Sequence, residues 1–116
     1  MKVKQIEFPT PLSESNDIEN DSFDVFVELE DGNWYTMVVA TPQSFIWYMD
    51  KEGDDYIKAG APDIIVRSLT YDNIYNAIQK SAEGDAYWLK IYHLCPSFNI
   101  EELNNKMEQL KNKNNI

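Results

Sequence analysis

The sequence is short of several things that chemistry depends on. It has one cysteine, Cys95, and one histidine, His93. A lone cysteine excludes an internal disulfide and fits a reducing compartment. No Cys/His spacing for zinc occurs. Only four glycines are present (Gly32, Gly53, Gly60, Gly84). Each falls where a turn or helix end is expected, so no phosphate-cradling loop can be built from them. No apolar run approaches the roughly 18 residues of a membrane-spanning helix. The opening MKVKQIEFPTP lacks the apolar core of a secretory signal. These absences lead to the expectation of a cytoplasmic protein without a membrane, cofactor or metal requirement.

Positive charge is scarce as well. The net charge is −10. Between Glu7 and Asp63 there are 14 acids and only two bases, Lys51 and Lys58, a balance of −12. Such a field repels phosphate backbones and attracts basic surfaces. It argues against direct nucleic-acid binding and for a basic protein partner. Acidity that merely keeps a small protein soluble is the plainer alternative.

What is present is a domain-sized chain of 116 residues, 43% hydrophobic and 13% aromatic. That size and content suit a single unstapled core over 1–116. Val3 to Phe8 reads as a strand, with Val3, Gln5 and Glu7 on one face and Lys4, Ile6 and Phe8 on the other. Pro9 and Pro11 end it, and an acidic loop spans about 9–22. FDVFVELE (Phe23 to Glu30) alternates with period 2, DGN supplies a turn, and WYTMVVA (Trp34 to Ala40) returns, which predicts a hairpin. Thr41-Pro42 opens a helix running to about Asp50. In it Phe45, Tyr48 and Met49 share an expected core face, and Trp47 points away. Ala59 to Pro62 is a loop. Asp63 to Leu69 reads as a strand, its apolar run suggesting a central place in the sheet. Tyr71 to about Ala82 reads as a helix with Tyr71, Ile74, Tyr75, Ile78 and Ala82 inward and Gly84 as its stop. Residues 86–94 fit a strand by composition and a helix by the spacing of Tyr87, Ile91 and Leu94. A last helix, about 99–113, carries a capping pair, Asn99 and Glu102, and a stripe of Ile100, Leu103, Met107 and Leu110 at heptad-like spacing. Docking of that helix on its own domain is expected over a partner site. The sum is an α+β fold: a mainly antiparallel sheet of about four strands with two or three helices packed on it.

Catalytic patterns are weak. His93 and Cys95 could share a strand face as a nucleophile pair, but inert packing is the better account. Asp17, Glu19, Asp21 and Glu28 match four positions of a calcium loop. Ser22 stands where that loop needs glycine, and the register runs into a strand pattern. The chain is expected not to be an enzyme.

The stretch FIWYMDKEGDDY is the most distinctive. Trp47 and Tyr48 are large amphipathic anchors. Asp50, Glu52, Asp54 and Asp55 surround them with negative charge, and Tyr56 joins the rim. These seven residues form the expected partner-binding surface, extended by the acidic loop from Glu14 to Asp21. Solvated charges with Trp47 packed under the last helix are the plain alternative.

The hairpin FDVFVELEDGNWYTMVVATP, the helix opening at Thr41-Pro42, and IIVRSLT leading into a second helix resemble the layout of small bacterial immunity proteins. These belong to polymorphic-toxin and contact-dependent-inhibition systems, and the resemblance covers roughly residues 23 to 94. It implies a cytoplasmic binding protein that covers the active site of a basic toxin domain, such as a nuclease, and it carries over no catalytic residues. Three other readings stand beside it: a DNA mimic or host-defence antagonist, a regulatory domain with a ligand pocket lined by Trp34, Trp88 and tyrosines, and a hydrolase using His93 and Cys95. Monomer and homodimer are both open.

Overall fold

A computed structural model describes residues 1–58 and 63–114. The expected loop at Ala59 to Pro62 lies outside the described residues. The fold is α+β. Strand β1 (Val3–Glu7) pairs antiparallel with β2 (Ser22–Leu29), and β2 pairs antiparallel with β3 (Trp34–Ala40). Helix α1 (Pro42–Glu52) follows, then a two-residue strand, β4 (Ile64–Ile65), parallel to β3. The chain closes with α2 (Tyr71–Ser81), α3 (Glu83–Leu94) and α4 (Ile100–Asn114). The strand order is β1-β2-β3-β4.

The predicted hairpin is present with Phe23 opposite Val39 and Glu28 opposite Trp34. Its period-2 pattern sends Val25, Val27, Leu29, Tyr35, Met37 and Val39 to one face, all buried. Gly32 takes a positive φ of 80° in the turn, where a Cβ would be strained. The buried face is covered by α2 and α3, through Ile74, Ile78, Ala82, Ala86 and Leu89, each with no exposed surface. Two helices therefore pack on the sheet, as expected, and the core lies between one sheet face and this pair.

Several expectations need correction. The simple alternation in β1 fails because the register shifts between Val3 and Gln5. That extra residue lets Val3 and Ile6 both turn toward the core. The strand expected over Asp63 to Leu69 shrinks to two residues at the sheet edge, and Ile65 is 58% exposed. Its apolar run does not mark a central strand. Val66 and Leu69 are buried, but as an irregular link whose amides bond to Ala40 and Ile18 carbonyls. Of the stripe assigned to α2, Ile74, Ile78 and Ala82 are inward, whereas Tyr71 is half exposed and stacks on Tyr75.

Residues 86–94 are helical, which decides between the two patterns. The turn that precedes them is unusual: Gly84, Asp85 and Ala86 are all left-handed, at φ 61°, 60° and 58°. α2 ends at Ser81 with Ala82 as its cap, not at Gly84; Gly84 is instead the first left-handed residue of the turn, and two non-glycine residues then share its conformation. The turn folds α3 back so that Ala86 and Leu89 reach the core beside α2.

The largest departure is α4. Every described side chain on it is exposed, including Ile100 at 71% and Met107 at 64%. It is not docked on its own domain. The radius of gyration is 16.9 Å, against about 13 Å expected for a compact chain of this length. The heptad spacing was real, but the sheet face that could have received it is already filled by α2 and α3.

Candidate functional site

One residue builds the site. Thr41 is the single buried polar side chain among the described residues. It sits where β3 ends and α1 begins. Its Oγ1 accepts the Ser44 amide at 3.3 Å, capping the helix as the sequence predicts, with Pro42 behind it. The same oxygen accepts the Asp21 amide at 3.3 Å, and the Thr41 amide donates to the Asp21 carbonyl at 3.2 Å. The acidic loop is thereby fastened to the start of α1.

The loop is further pinned from within. The Asp21 carboxylate accepts from the Ser15 hydroxyl and the Ser22 amide, both at 2.8 Å. Asp17 accepts the Glu19 amide at 3.0 Å. The Leu69 amide donates to the Ile18 carbonyl at 2.7 Å. The loop is thus a shaped wall. Glu28, the last member of the calcium-loop register, lies on β2 and accepts from Gln5 Nε2. Among the described residues no His/Cys/Asp/Glu group could hold a metal ion.

Between this wall and α1 lies an open groove of about 540 Å³. Glu14, Asp17 and Asp21 line one side, and Phe45, Trp47 and Tyr48 line the other, with Ile57 and Asp63 completing it. Burial raises the Asp63 carboxyl above its ordinary range, since a desolvated carboxylate is disfavoured. The groove therefore joins apolar rings to carboxylates, one of which has lost part of its hydration.

Of the seven predicted surface residues, Trp47 and Tyr48 line the groove and Asp50, Glu52, Asp54, Asp55 and Tyr56 do not. Those five are exposed, past or at the end of α1, where Gly53 turns left-handed. Tyr48 was expected to be a core contact. It is 50% exposed, and α1 buries no residue fully, because no sheet surface lies free beneath it. Trp47 is 53% exposed, with the Lys51 ammonium 5.2 Å from its ring centre. It is not under the last helix. Asp63, Ser44 and Ile57 were missed, and no local pattern points to them. Asp63 reaches the groove through the parallel pairing of β4 with β3.

The remaining sequence leads do not converge. The His93 Nδ1 accepts the Thr36 amide at 3.3 Å, and its ring meets Tyr35 edge-on. Cys95 is exposed in a short 3₁₀ turn, Cys95–Ser97. Trp34 lines a hollow of about 340 Å³ beside His93 and Leu94, whereas Trp88 packs against Tyr87 and Tyr92. The ligand pocket imagined from Trp34 and Trp88 together is not assembled. No described helix is long and apolar enough to cross a membrane. Compared with known proteins, the chain matches no family model, and neither a curated protein nor a solved structure is significantly similar to it.

Proposed function

We propose that the chain is a non-enzymatic binding protein, an immunity-type inhibitor that covers the active site of a basic toxin domain in the cytoplasm. The groove between the acidic loop and α1 supports this reading. It combines two half-exposed aromatic anchors with a wall of carboxylates, in a chain segment of net charge −12. Aromatic side chains at the centre of an interface supply most of its energy, and a surrounding field of opposite sign speeds encounter. A partner surface that holds phosphate or RNA carries the lysines and arginines such a groove would pair with. Duplex DNA itself is repelled by the same field.

The test is capture from the native host's lysate at low and high salt, with mass spectrometry and four baits. Wild type is expected to retain a basic protein, less of it as salt rises. Trp47→Ala combined with Asp17→Lys should weaken retention by roughly 30-fold, the effect of losing about 2 kcal/mol at an anchor. Asp54→Lys with Asp55→Lys, outside the groove, should change it only a few-fold. Tyr56→Ala should behave like wild type. Undiminished capture by the Trp47/Asp17 variant would overturn the assignment of the groove. A DNA-processing enzyme released by duplex DNA would move the reading to DNA mimicry.

A further inference from the structure

Among the described residues, the groove between the acidic loop and α1 is lined by four carboxylates, Glu14, Asp17, Asp21 and Asp63, and by no lysine, arginine or histidine. Two of these acids are already engaged. Asp21 accepts from the Ser15 hydroxyl and the Ser22 amide, and Asp17 from the Glu19 amide. Asp63 is not. Its carboxylate accepts no hydrogen bond from a described residue, and the ion pairs among those residues lie elsewhere, at Lys4–Glu28, Lys80–Glu83 and Lys90–Asp85. Yet Asp63 is half-buried, and that burial raises its carboxyl. Hydration lost in the free protein need not be lost again when a cation arrives, so Asp63 is the acid best prepared to pair with one.

The other lining groups decide which cation fits. Phe45, Trp47 and Tyr48 present aromatic surface, and the Trp47 ring already carries a positive group, the Lys51 ammonium. Asn16, Asn20 and Ser44 add neutral oxygens. A lysine ammonium is a compact, strongly hydrated point charge. A guanidinium is flat and more weakly hydrated, and it stacks on aromatic faces. Its fork of donors suits a carboxylate with neutral acceptors beside it. A partly desolvated surface of this mixed kind favours the guanidinium. The groove, at about 540 Å³, has room for the side chain and for the backbone that carries it.

We propose that the groove receives an arginine side chain of the protein partner, its guanidinium pairing with Asp63 against the rings of Trp47 and Tyr48. The inference rests on the groove being the partner-binding surface, and it names the residue type that surface selects.

Two short peptides test it on the full chain: acetyl-Gly-Arg-Gly-amide and its lysine counterpart, titrated at equal ionic strength and followed by nitrogen–proton correlation NMR. The arginine peptide should shift the Trp47 indole and the Ser44 and Asp63 amides. The Trp34 and Trp88 indoles, outside the groove, should stay in place. One charge-assisted pair with ring stacking corresponds to a Kd on the order of 1 mM. The lysine peptide should bind about tenfold more weakly. Asp63→Asn, nearly isosteric, should weaken the arginine peptide about tenfold and bring the two peptides level. Trp47→Leu should weaken it several-fold with the chain still folded, because Trp47 is half exposed. Asp54→Asn, exposed and outside the groove, should change binding less than about twofold. No groove shift from the arginine peptide at about 20 mM, equal affinity for the two peptides, or an undiminished preference for arginine in Asp63→Asn would each overturn the inference. Any of these would leave capture of a basic partner from the lysate standing, with its contacts elsewhere in the acidic field. Arginine binding in the groove with no partner captured would do the opposite, keeping the arginine site and removing the toxin.

Discussion

The Tyr35 hydroxyl makes the stability of this fold depend on alkaline pH in a calculable way. Tyr35 is 3% exposed on the core face of β3. Its hydroxyl reaches back to donate to the Asp31 carboxylate at 2.7 Å, and Asp31 also accepts the Asn33 amide at 2.9 Å. Burial, reinforced by the Asp31 charge, pushes the phenol up to about 12 from its ordinary 10. The unfolded chain therefore releases this proton before the folded one does. The stabilisation is fully present below pH 10 and is lost as pH rises toward 12. Two units correspond to about 3 kcal/mol at the far end of that window. Tyr35→Phe removes the titration and the hydrogen bond together. At pH 7 the variant should be about 1 kcal/mol less stable, the low end for a bond to a charged group because Asp31 is exposed. By pH 12 the folded phenol is itself half ionised, so about 2.3 kcal/mol has been lost and the order should reverse, with the variant about 1 kcal/mol more stable. Every other group is common to both proteins and cancels in the difference. Urea unfolding followed by tryptophan emission at several pH values from 7 to about 12 measures it. Parallel curves with no crossing would refute the account of Tyr35.

Two further outcomes follow from the same structure. Thr41→Val keeps the volume but strands the Asp21 amide and leaves the Ser44 amide only the Thr41 carbonyl at 3.1 Å, and should lower stability by about 1–2 kcal/mol. Hydrogen exchange at Asp21 and Ser44 should rise selectively, and Thr41→Ser should restore protection; unchanged exchange would remove Thr41 from its role in the groove. Asp85→Gly relieves a left-handed residue at φ 60° and gives up only an exposed 3.5 Å ion pair with Lys90. It should raise stability by about 0.5 kcal/mol in thermal unfolding, and a loss would mean that the Asp85 side chain itself holds the turn.

The hairpin, the capped start of α1 and the inner face of α2 were legible because each is set by local pattern. Alternation in FDVFVELE, the Thr41-Pro42 cap and the Ile74/Ile78/Ala82 spacing do not depend on what lies elsewhere. The misreadings of the helices share one cause. Phe45, Tyr48 and Met49 have the spacing of a core face, as do Ile100, Leu103, Met107 and Leu110, but a helical stripe says only that something apolar covers it. In β1 the register shift, invisible in composition, redirects Val3 and Ile6. At β4 the run Ile64-Ile65-Val66 suggested a central strand, yet the sheet ends there.

The sheet has one apolar face, and α2 and α3 fill it. Any further amphipathic helix in the chain must therefore present its stripe outward, and two do. They differ in their surroundings. Beside α1 the loop from Glu14 to Asp21 is held in place through Thr41, so the rings of Trp47 and Tyr48 sit opposite fixed carboxylates. A copy of the same acidic groove is repelled there, which favours a basic partner. Beside α4 the charges are divided between the helix ends instead. The groove beside α1 is thus the surface where apolar rings and fixed carboxylates are joined.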